Sequence, residues 1–349
     1  MNRHFHFDSD YMRGAHPAVI ERLVSTNMLQ TPGYGTDEFT AKAKRRILSA
    51  CGLDNGDIYF LVGGTQTNAT VLDGILGRTE GVLAAETAHI NVHEAGAIEA
   101  TGHKVITLPG HIGKLSADEV EQYLEGFYAD ESYEHIVSPG AVYISFPTEL
   151  GTIYSLEELK ALSRLCRKYR IPLYLDGARI GYGIVASNDV SLCDIADLCD
   201  VFYIGGTKIG ALFGEAVVVN RRCELRHFTS LIKQHGALLA KGRLSGLQFE
   251  ALFTDNLYLE ISRKAVEAAM LLRDGLLEAG LKLWVDSPTN QQFFMASNAM
   301  IDEMMRIATF EIWGSRGEAE SVIRMVTDWA TTPEEIYDFL KEVRRITLS

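Results

Sequence analysis

From about residue 57 to residue 220, short apolar runs alternate with amphipathic stretches, and no other feature constrains the fold as much. Strands are expected at 58–62, 81–85, 104–108, 141–145, 171–176, 201–206 and 215–220. Helices are expected between them: 68–76, then 89–101 ending at Gly102, then 117–128 capped by Ser116. A fourth runs from the capping-box pattern Ser155-Leu-Glu-Glu158 to Tyr169. Apolar strands separated by helices make a mostly parallel sheet covered on both faces, an α/β fold. Ligands of such sheets bind beyond the carboxyl ends of the strands. From Arg243 to Gly280 the pattern is helical; short strands at 282–285, 292–296, 310–313 and 321–326 and a closing helix at 333–345 follow. The expected organisation is a polar N-terminal arm (1–14), a large domain (15–254) and a smaller C-terminal α+β domain (255–349). The arm is expected to pack on the small domain or on the active site.

Two of the buried runs end in reactive groups. Ile171-Pro-Leu-Tyr-Leu ends in Asp176, and Val201-Phe-Tyr-Ile-Gly-Gly-Thr ends in Lys208. Such a pair suits pyridoxal phosphate. A lysine amine bonds the cofactor's aldehyde, and a carboxylate keeps its pyridine nitrogen protonated so that the ring accepts electrons. A lone lysine at a strand end is commonly just solvated; the small neighbours Gly205, Gly206 and Gly210 and the partner Asp176 favour the catalytic reading.

Other residues fit the same picture, each with a plainer alternative. Val62-Gly-Gly-Thr65-Gln-Thr-Asn68 lies between a strand and a helix, where glycines and free N–H groups make a phosphate cup. The alternative is a tight turn capped by threonine. His89 opens a helix, where its ring could stack on a cofactor or exchange protons. His93 shares its helix face, but His89-x-x-x-His93-Glu94 is not H-E-x-x-H and no third ligand is evident, so no metal site is expected. Arg179, three residues after Asp176, could grip an amino-acid carboxylate or form an internal ion pair. Arg324 sits within the apolar strand Val322-Ile-Arg-Met-Val, where its charge needs a partner, either a substrate carboxylate or a fixed acid.

The net charge of −13 argues against a nucleic-acid partner. The five cysteines form no C-x-x-C, so reduced thiols in a cytoplasmic protein are expected. Residues 1–8 carry no apolar segment of the signal-peptide kind, and no apolar run approaches the ~20 residues that cross a bilayer.

Taken in order, the motifs resemble those of the pyridoxal-phosphate-dependent threonine aldolases, in the β-eliminating lyase group with the aspartate aminotransferase fold (fold type I). Phe7-Asp-Ser9-Asp10 resembles the family's opening R-S-D, and Tyr34-Gly35-Thr-Asp37 its Y-G-D-D. Gly64-Thr65-Gln-Thr-Asn68 resembles G-T-Q-A-N; Ala88-His89 and Glu94-Ala-Gly96 resemble the helix with the ring-stacking histidine. Asp176-Gly-Ala-Arg179-Ile180 is an identical D-G-A-R-I, Thr207-Lys208 stands at S-K, and Arg324-Met-Val-Thr327 resembles R-L-V-T. The resemblance spans nearly the whole chain.

It implies that Lys208 holds the cofactor, Asp176 faces the pyridine nitrogen and His89 stacks on the ring. It implies phosphate contacts from Gly64, Thr65 and Thr207, and a substrate carboxylate held by Ser9, Arg179 and Arg324. Arg179, flanking Asp176, counts with the cofactor residues as well. A basic residue from a neighbouring subunit is expected on the phosphate, with Lys241 and Arg243 competing for that role. The assembly implied is a homodimer or homotetramer with shared sites. The implied reaction is retro-aldol cleavage of an L-β-hydroxy-α-amino acid to glycine and an aldehyde. One departure is notable: where the family has T-H-N, this chain has Thr148-Glu149-Leu150, so Glu149 stands at the histidine. Glu149, His89 or a water could then take the β-hydroxyl proton. The departure leaves β-elimination on another amino acid as an alternative, and a cofactor-free or inactive homologue as a second.

Overall fold

The computed structural model describes residues 4–223 and 225–347. Strand β1 (Phe5–His6) opens it, followed by helices α1 (Pro17–Thr26) and α2 (Glu38–Ala50), which the alternation of apolar runs did not announce. The large sheet uses β2 (Asp57–Leu61), β3 (Glu80–Ala85), β4 (Lys104–Leu108), β5 (Ser138–Ser145), β6 (Leu173–Asp176), β7 (Val201–Gly205) and β8 (Glu215–Val219). Its seven strands run in the order β2-β8-β7-β6-β5-β3-β4. All are parallel except β8, which is antiparallel to both β2 and β7. The fold is the α/β architecture expected.

The period-2 alternation of the buried strands divides the core into two layers. Val142, Ile144, Leu173, Leu175, Phe202 and Ile204 face one layer. Ala141, Tyr143, Tyr174, Val201 and Tyr203 face the other, against helix α3 (Gly64–Ile75). Three tyrosines on neighbouring central strands therefore point the same way, beneath the carboxyl ends.

Two expected elements differ. The helix predicted over 89–101 is broken into α4 (His89–Val92) and α5 (Ala97–Ala100). Ala95 and Gly96 take positive φ between them, at 52° and 72°. The break folds Glu94 inward, where it meets His89 and Asn68. Helix α3 begins a turn earlier than its apolar pattern, because Gly63 and Gly64 enter the helix with no side chain to reveal it.

Residues 243–280 form two helices, Arg243–Leu252 and Leu257–Glu278. Beyond them lie β9 (Lys282–Val285), β10 (Gln291–Ser297), β11 (Ala308–Thr309), β12 (Glu311–Ile312) and β13 (Glu320–Val326). Of the strand expected at 310–313 only the two residues of β12 form, and β11 lies just before it. β12-β13-β10-β9 form an antiparallel sheet, while β1 pairs in parallel with β11. Val326 N–H donates to Phe7 O at 2.9 Å, and Phe7 packs on Phe339 of the last helix, Pro333–Thr347. The arm is thus anchored in the core of the small sheet, and the residues after Phe7 are carried to the large sheet's strand ends.

Candidate active site

The site lies at the carboxyl ends of β5, β6 and β7. Asp176 closes β6, in register with Ser145 of β5. The chain must then cross β7 closely. A side chain on Gly177 would put its Cβ 1.9 Å from Tyr203 O, and Gly205 N–H donates to Gly177 O at 2.9 Å. Glycine after the aspartate is a packing requirement of this crossing.

Asp176 is buried beneath a set of donors. Tyr203 Oη donates to Oδ1 at 2.5 Å, as does Ala178 N–H at 2.9 Å. Tyr143 Oη donates to Oδ2 at 2.7 Å, and Asn68 Nδ2 at 2.9 Å. Burial works to raise the Asp176 pKa; the His89 charge and these hydrogen bonds outweigh it and hold the carboxyl below its ordinary value. The tyrosines stay protonated, since burial and the Asp176 charge push both phenols well above their usual range. The result is a fixed anion facing a cavity.

His89 Nδ1 lies 2.8 Å from Glu94 Oε1, and Asn68 Nδ2 also donates to Glu94, at 2.7 Å. Asn68 thereby links the two acids. Glu149 Oε1 accepts from Ser145 Oγ at 2.6 Å and from His89 N–H at 3.0 Å. Burial raises the Glu149 pKa above its ordinary value. Burial, then the Arg179 charge, lowers that of Lys208.

These groups share one cleft of two chambers. The inner chamber, about 170 Å³, is lined by Gly63, Gly64, Asp176, Thr207 and Glu215. The outer one, about 690 Å³, is lined by Ser9, His93, Gln291, Glu311, Trp313 and Arg324. His89, Glu149, Arg179 and Lys208 line both. Lys208 Nζ has no hydrogen-bond or ion-pair partner among the described residues. In the outer chamber Ser9 Oγ and Arg324 Nε are buried without partners.

The arginines are less free than the sequence suggests. Arg179 Nε and Nη2 donate to both oxygens of Asp10, at 2.6 and 3.1 Å. Asn290 Nδ2 adds a third bond to that acid at 3.0 Å. Nη1 is the remaining end of the fork. Arg324 Nη2 pairs with Glu311, Nη1 donates to Gln291 Oε1 at 3.1 Å, and the guanidinium lies 5.1 Å from the Trp313 ring centroid. Both plain alternatives, internal ion pairs, are realised, and both arginines still line the cleft.

Other expected residues lie elsewhere or are already engaged. Thr65 lies in the exposed first turn of α3, where the N–H groups of 64–66 have no intrahelical acceptor. Thr207 lines the inner chamber, but its N–H donates to Gly214 O at 3.2 Å and its hydroxyl to Glu215 Oε1 at 2.8 Å. Both donors expected for a phosphate are spent. Lys241 is exposed and lines neither chamber. Arg243 donates to the carbonyls of Thr26, Asn27 and Leu29, so it terminates α1 of its own chain.

Sequence reasoning assigned no role to Tyr143, Tyr203, Asn68, Glu94, Asp10, Glu215 or Glu311. A signal existed for some. Tyr143, Tyr174 and Tyr203 sit at alternating positions in otherwise apolar strands, where each hydroxyl needs a partner.

A cofactor with a phosphate, an aldehyde and a basic ring nitrogen fits these groups: free N–H groups at α3, an unpartnered amine at Lys208 and a fixed anion at Asp176. The beta-eliminating lyase family profile matches residues 6–310. A low specificity L-threonine aldolase of Pseudomonas aeruginosa is 27% identical over 348 residues, 97% of each chain. The solved structure of a Leishmania major threonine aldolase is 39% identical, covers 98% of this chain and 99% of its own, and superposes with a TM-score of 0.94. An aspartate aminotransferase variant of Thermus thermophilus, 15% identical over 99% of this chain and 92% of its own, shares the fold at a TM-score of 0.70. With its fold, its cleft and its relatives in agreement, this chain belongs to the beta-eliminating lyase family, among the threonine aldolases.

Proposed function

We propose that this chain cleaves L-β-hydroxy-α-amino acids of the threonine and allo-threonine type to glycine and an aldehyde. Its cofactor is pyridoxal phosphate, the cofactor of its family. The observation that carries the reading is the convergence of Lys208, Asp176, His89, Glu149, Arg179 and Arg324 on one cleft.

Lys208 is the residue that would hold the cofactor covalently, Asp176 its ring nitrogen, His89 its ring face, and Gly64 with the first turn of α3 its phosphate. When bound, the cofactor supplies an electron sink for the bond broken at Cα. The chain's own groups do the rest. Ser9 Oγ, Arg324 and the free end of Arg179 take the substrate carboxylate and fix the Cα–Cβ bond in the cleft. Glu149, set between the chambers, accepts the β-hydroxyl proton as that bond opens. Burial makes it a stronger base than an exposed carboxylate. Ser145 Oγ and the His89 N–H both donate to its Oε1 and so orient the carboxyl. The Glu94 carboxylate orients the His89 ring. The relatives and the intact site speak against elimination and against a cofactor-free homologue.

The neighbouring-subunit reading is refined by Arg243: committed to α1, it leaves Lys241 as the basic residue that reaches a partner's phosphate. Tyr34 and Gly35 pack beside the same loop, with Tyr34 N–H donating to Ala240 O at 3.1 Å, away from this chain's own cleft. These displaced site residues support a homodimer or homotetramer with shared sites. A cytoplasmic location fits five unpaired cysteines, and no helix among the described residues is long and apolar enough to cross a membrane. The test is to supply protein loaded with pyridoxal phosphate with L-threonine, L-allo-threonine or phenylserine. Glycine and the matching aldehyde in equal amounts are expected; a keto acid with ammonia, or no product, would sink the proposal.

A further inference from the structure

Glu215 is a buried acid that the mechanism does not use. It opens β8, opposite Leu61 of β2 on one side and Gly205 of β7 on the other. Both neighbours are the last residues of their strands, so Glu215 sits between the Gly63–Gly64 turn and the Thr207-Lys208 turn. It is 3% exposed and lines the inner chamber with both turns. Oε2 accepts from Gly206 N–H at 3.0 Å, and Oε1 from Thr207 Oγ at 2.8 Å. Thr207 Oγ in turn accepts from Gly214 N–H at 3.0 Å.

This arrangement conflicts with a phosphate held by the same turns. An ionised Glu215 is acceptor-only and consumes the single proton of Thr207. It would also set a buried negative charge beside a dianion, and like charges that close strongly disfavour joint ionisation. A proton on Glu215 removes both obstacles. The carboxyl becomes a donor, to the phosphate or to Thr207 Oγ, and in the second case the Thr207 hydroxyl can turn its own proton to the phosphate.

We propose that Glu215 is a proton-carrying member of the phosphate subsite, which binds the cofactor's phosphate only as a neutral carboxylic acid. Cofactor phosphate and the ionised form of Glu215 then exclude one another. The groups that face Glu215 are consistent with this. Burial, joined by the Asp176 charge from β6, outweighs the Thr207 hydrogen bond, the Lys208 charge from the turn after β7 and the Gly206 hydrogen bond, and pushes the carboxyl up to about 8. Tyr174 of β6, Tyr203 of β7 and Tyr258 of the helix Leu257–Glu278 also face it; all three phenols are raised well above their usual range and stay neutral.

The inference rests on the proposed placement of the phosphate, and the experiment separates the two. The probe is pyridoxamine 5′-phosphate, which carries the phosphate but no aldehyde to bond Lys208. Its Kd for the apoprotein is measured by absorption and fluorescence from about pH 7 to about pH 9.5, for the natural chain and for Glu215→Gln, a neutral donor and acceptor of the same shape. One linked proton makes the affinity ratio, variant over natural chain, grow by about tenfold per pH unit above about pH 8. A ratio constant with pH overturns the role of Glu215. If pyridoxamine without its phosphate binds as tightly as the phosphorylated probe, the phosphate placement itself fails and the inference with it. Should Glu215→Gln not fold, calorimetry of inorganic phosphate binding to Lys208→Ala protein from about pH 8 to about pH 10, in buffers of different ionisation heat, replaces it, because losing the Lys208 charge lifts the Glu215 carboxyl further. Uptake that climbs toward one proton as the pH rises supports the role, since phosphate is already dianionic there and no Lys208 amine contributes; uptake near zero at every pH overturns it.

Discussion

The two chambers of the cleft are built on opposite principles. The floor of the inner chamber belongs to one sheet, and Asp176 there receives four hydrogen bonds, from Tyr143, Tyr203, Asn68 and Ala178. The outer chamber is assembled from the N-terminal arm, the small sheet and the loop after β5, and it keeps buried groups without partners at Ser9 and Arg324. A saturated network holds one geometry, whereas unpartnered donors hold capacity for a ligand. The floor is suited to a resident cofactor and the mouth to a substrate that comes and goes. Variants in the floor should therefore alter cofactor, rate and stability together, and variants in the mouth should alter substrate affinity alone.

The largest effect is expected at the junction of the chambers. Lys208→Ala should lose nearly all turnover, by about 10⁴-fold or more, because the residue acts as a unit with the rest of the site. Borohydride should no longer attach the cofactor to the chain; a reducible adduct that persists would move the attachment to another lysine.

In the floor, Asp176→Ala should lower kcat by about 10²–10³-fold through loss of a fixed charge. It should also cost roughly 2–4 kcal/mol of stability, because buried Tyr143, Tyr203 and Asn68 lose their acceptor. Denaturant titration beside kinetics checks both, and a variant that loses rate at unchanged stability would break the picture of a saturated floor.

Between the chambers, Glu149→Gln should cost about 10²-fold in kcat. The sign of its pH dependence follows from burial, which raises the carboxyl above its ordinary value. The ionised form is the base, so kcat should fall as pH drops through that raised value, and this acid limb should be absent in the variant. An unchanged limb would assign it to His89 or to the substrate.

The smallest effect belongs to the mouth. Ser9→Ala should raise KM about three- to tenfold, the worth of one hydrogen bond, with kcat and stability nearly unchanged. A loss of stability instead would show that Ser9 is part of the scaffold.

What the sequence revealed divides along the same line. Asp176, Lys208 and the helix caps at Ser116 and Ser155 were legible because each depends on its own few neighbours: an apolar run, a glycine, a glutamate three residues on. The donors around Asp176 were not, because Tyr143 and Tyr203 meet it only through the register of three strands. The pairing of Asp10 with Arg179 joins residues 169 apart, which no local pattern encodes. The continuous helix predicted over 89–101 failed for a related reason: its apolar spacing is sound, but Glu94 is drawn inward by Asn68 and His89. Thr207 shows the opposite error, a motif residue that lines the inner chamber but whose hydroxyl is claimed by Glu215, an acid the motif does not include, and whose N–H goes to Gly214 O.

The arm also bears on how the enzyme comes into being. Phe5 pairs with Ala308, and Phe7 accepts a hydrogen bond from Val326, so the arm waits for strands that come far later in the chain. Ser9 and Asp10 follow directly and cannot take their places until that strand pairing is made. The large sheet can thus form its cofactor floor while the substrate grip still waits on the small sheet. Assembly of the mouth is a later event than assembly of the floor, and it is gated by the meeting of two segments far apart along the chain.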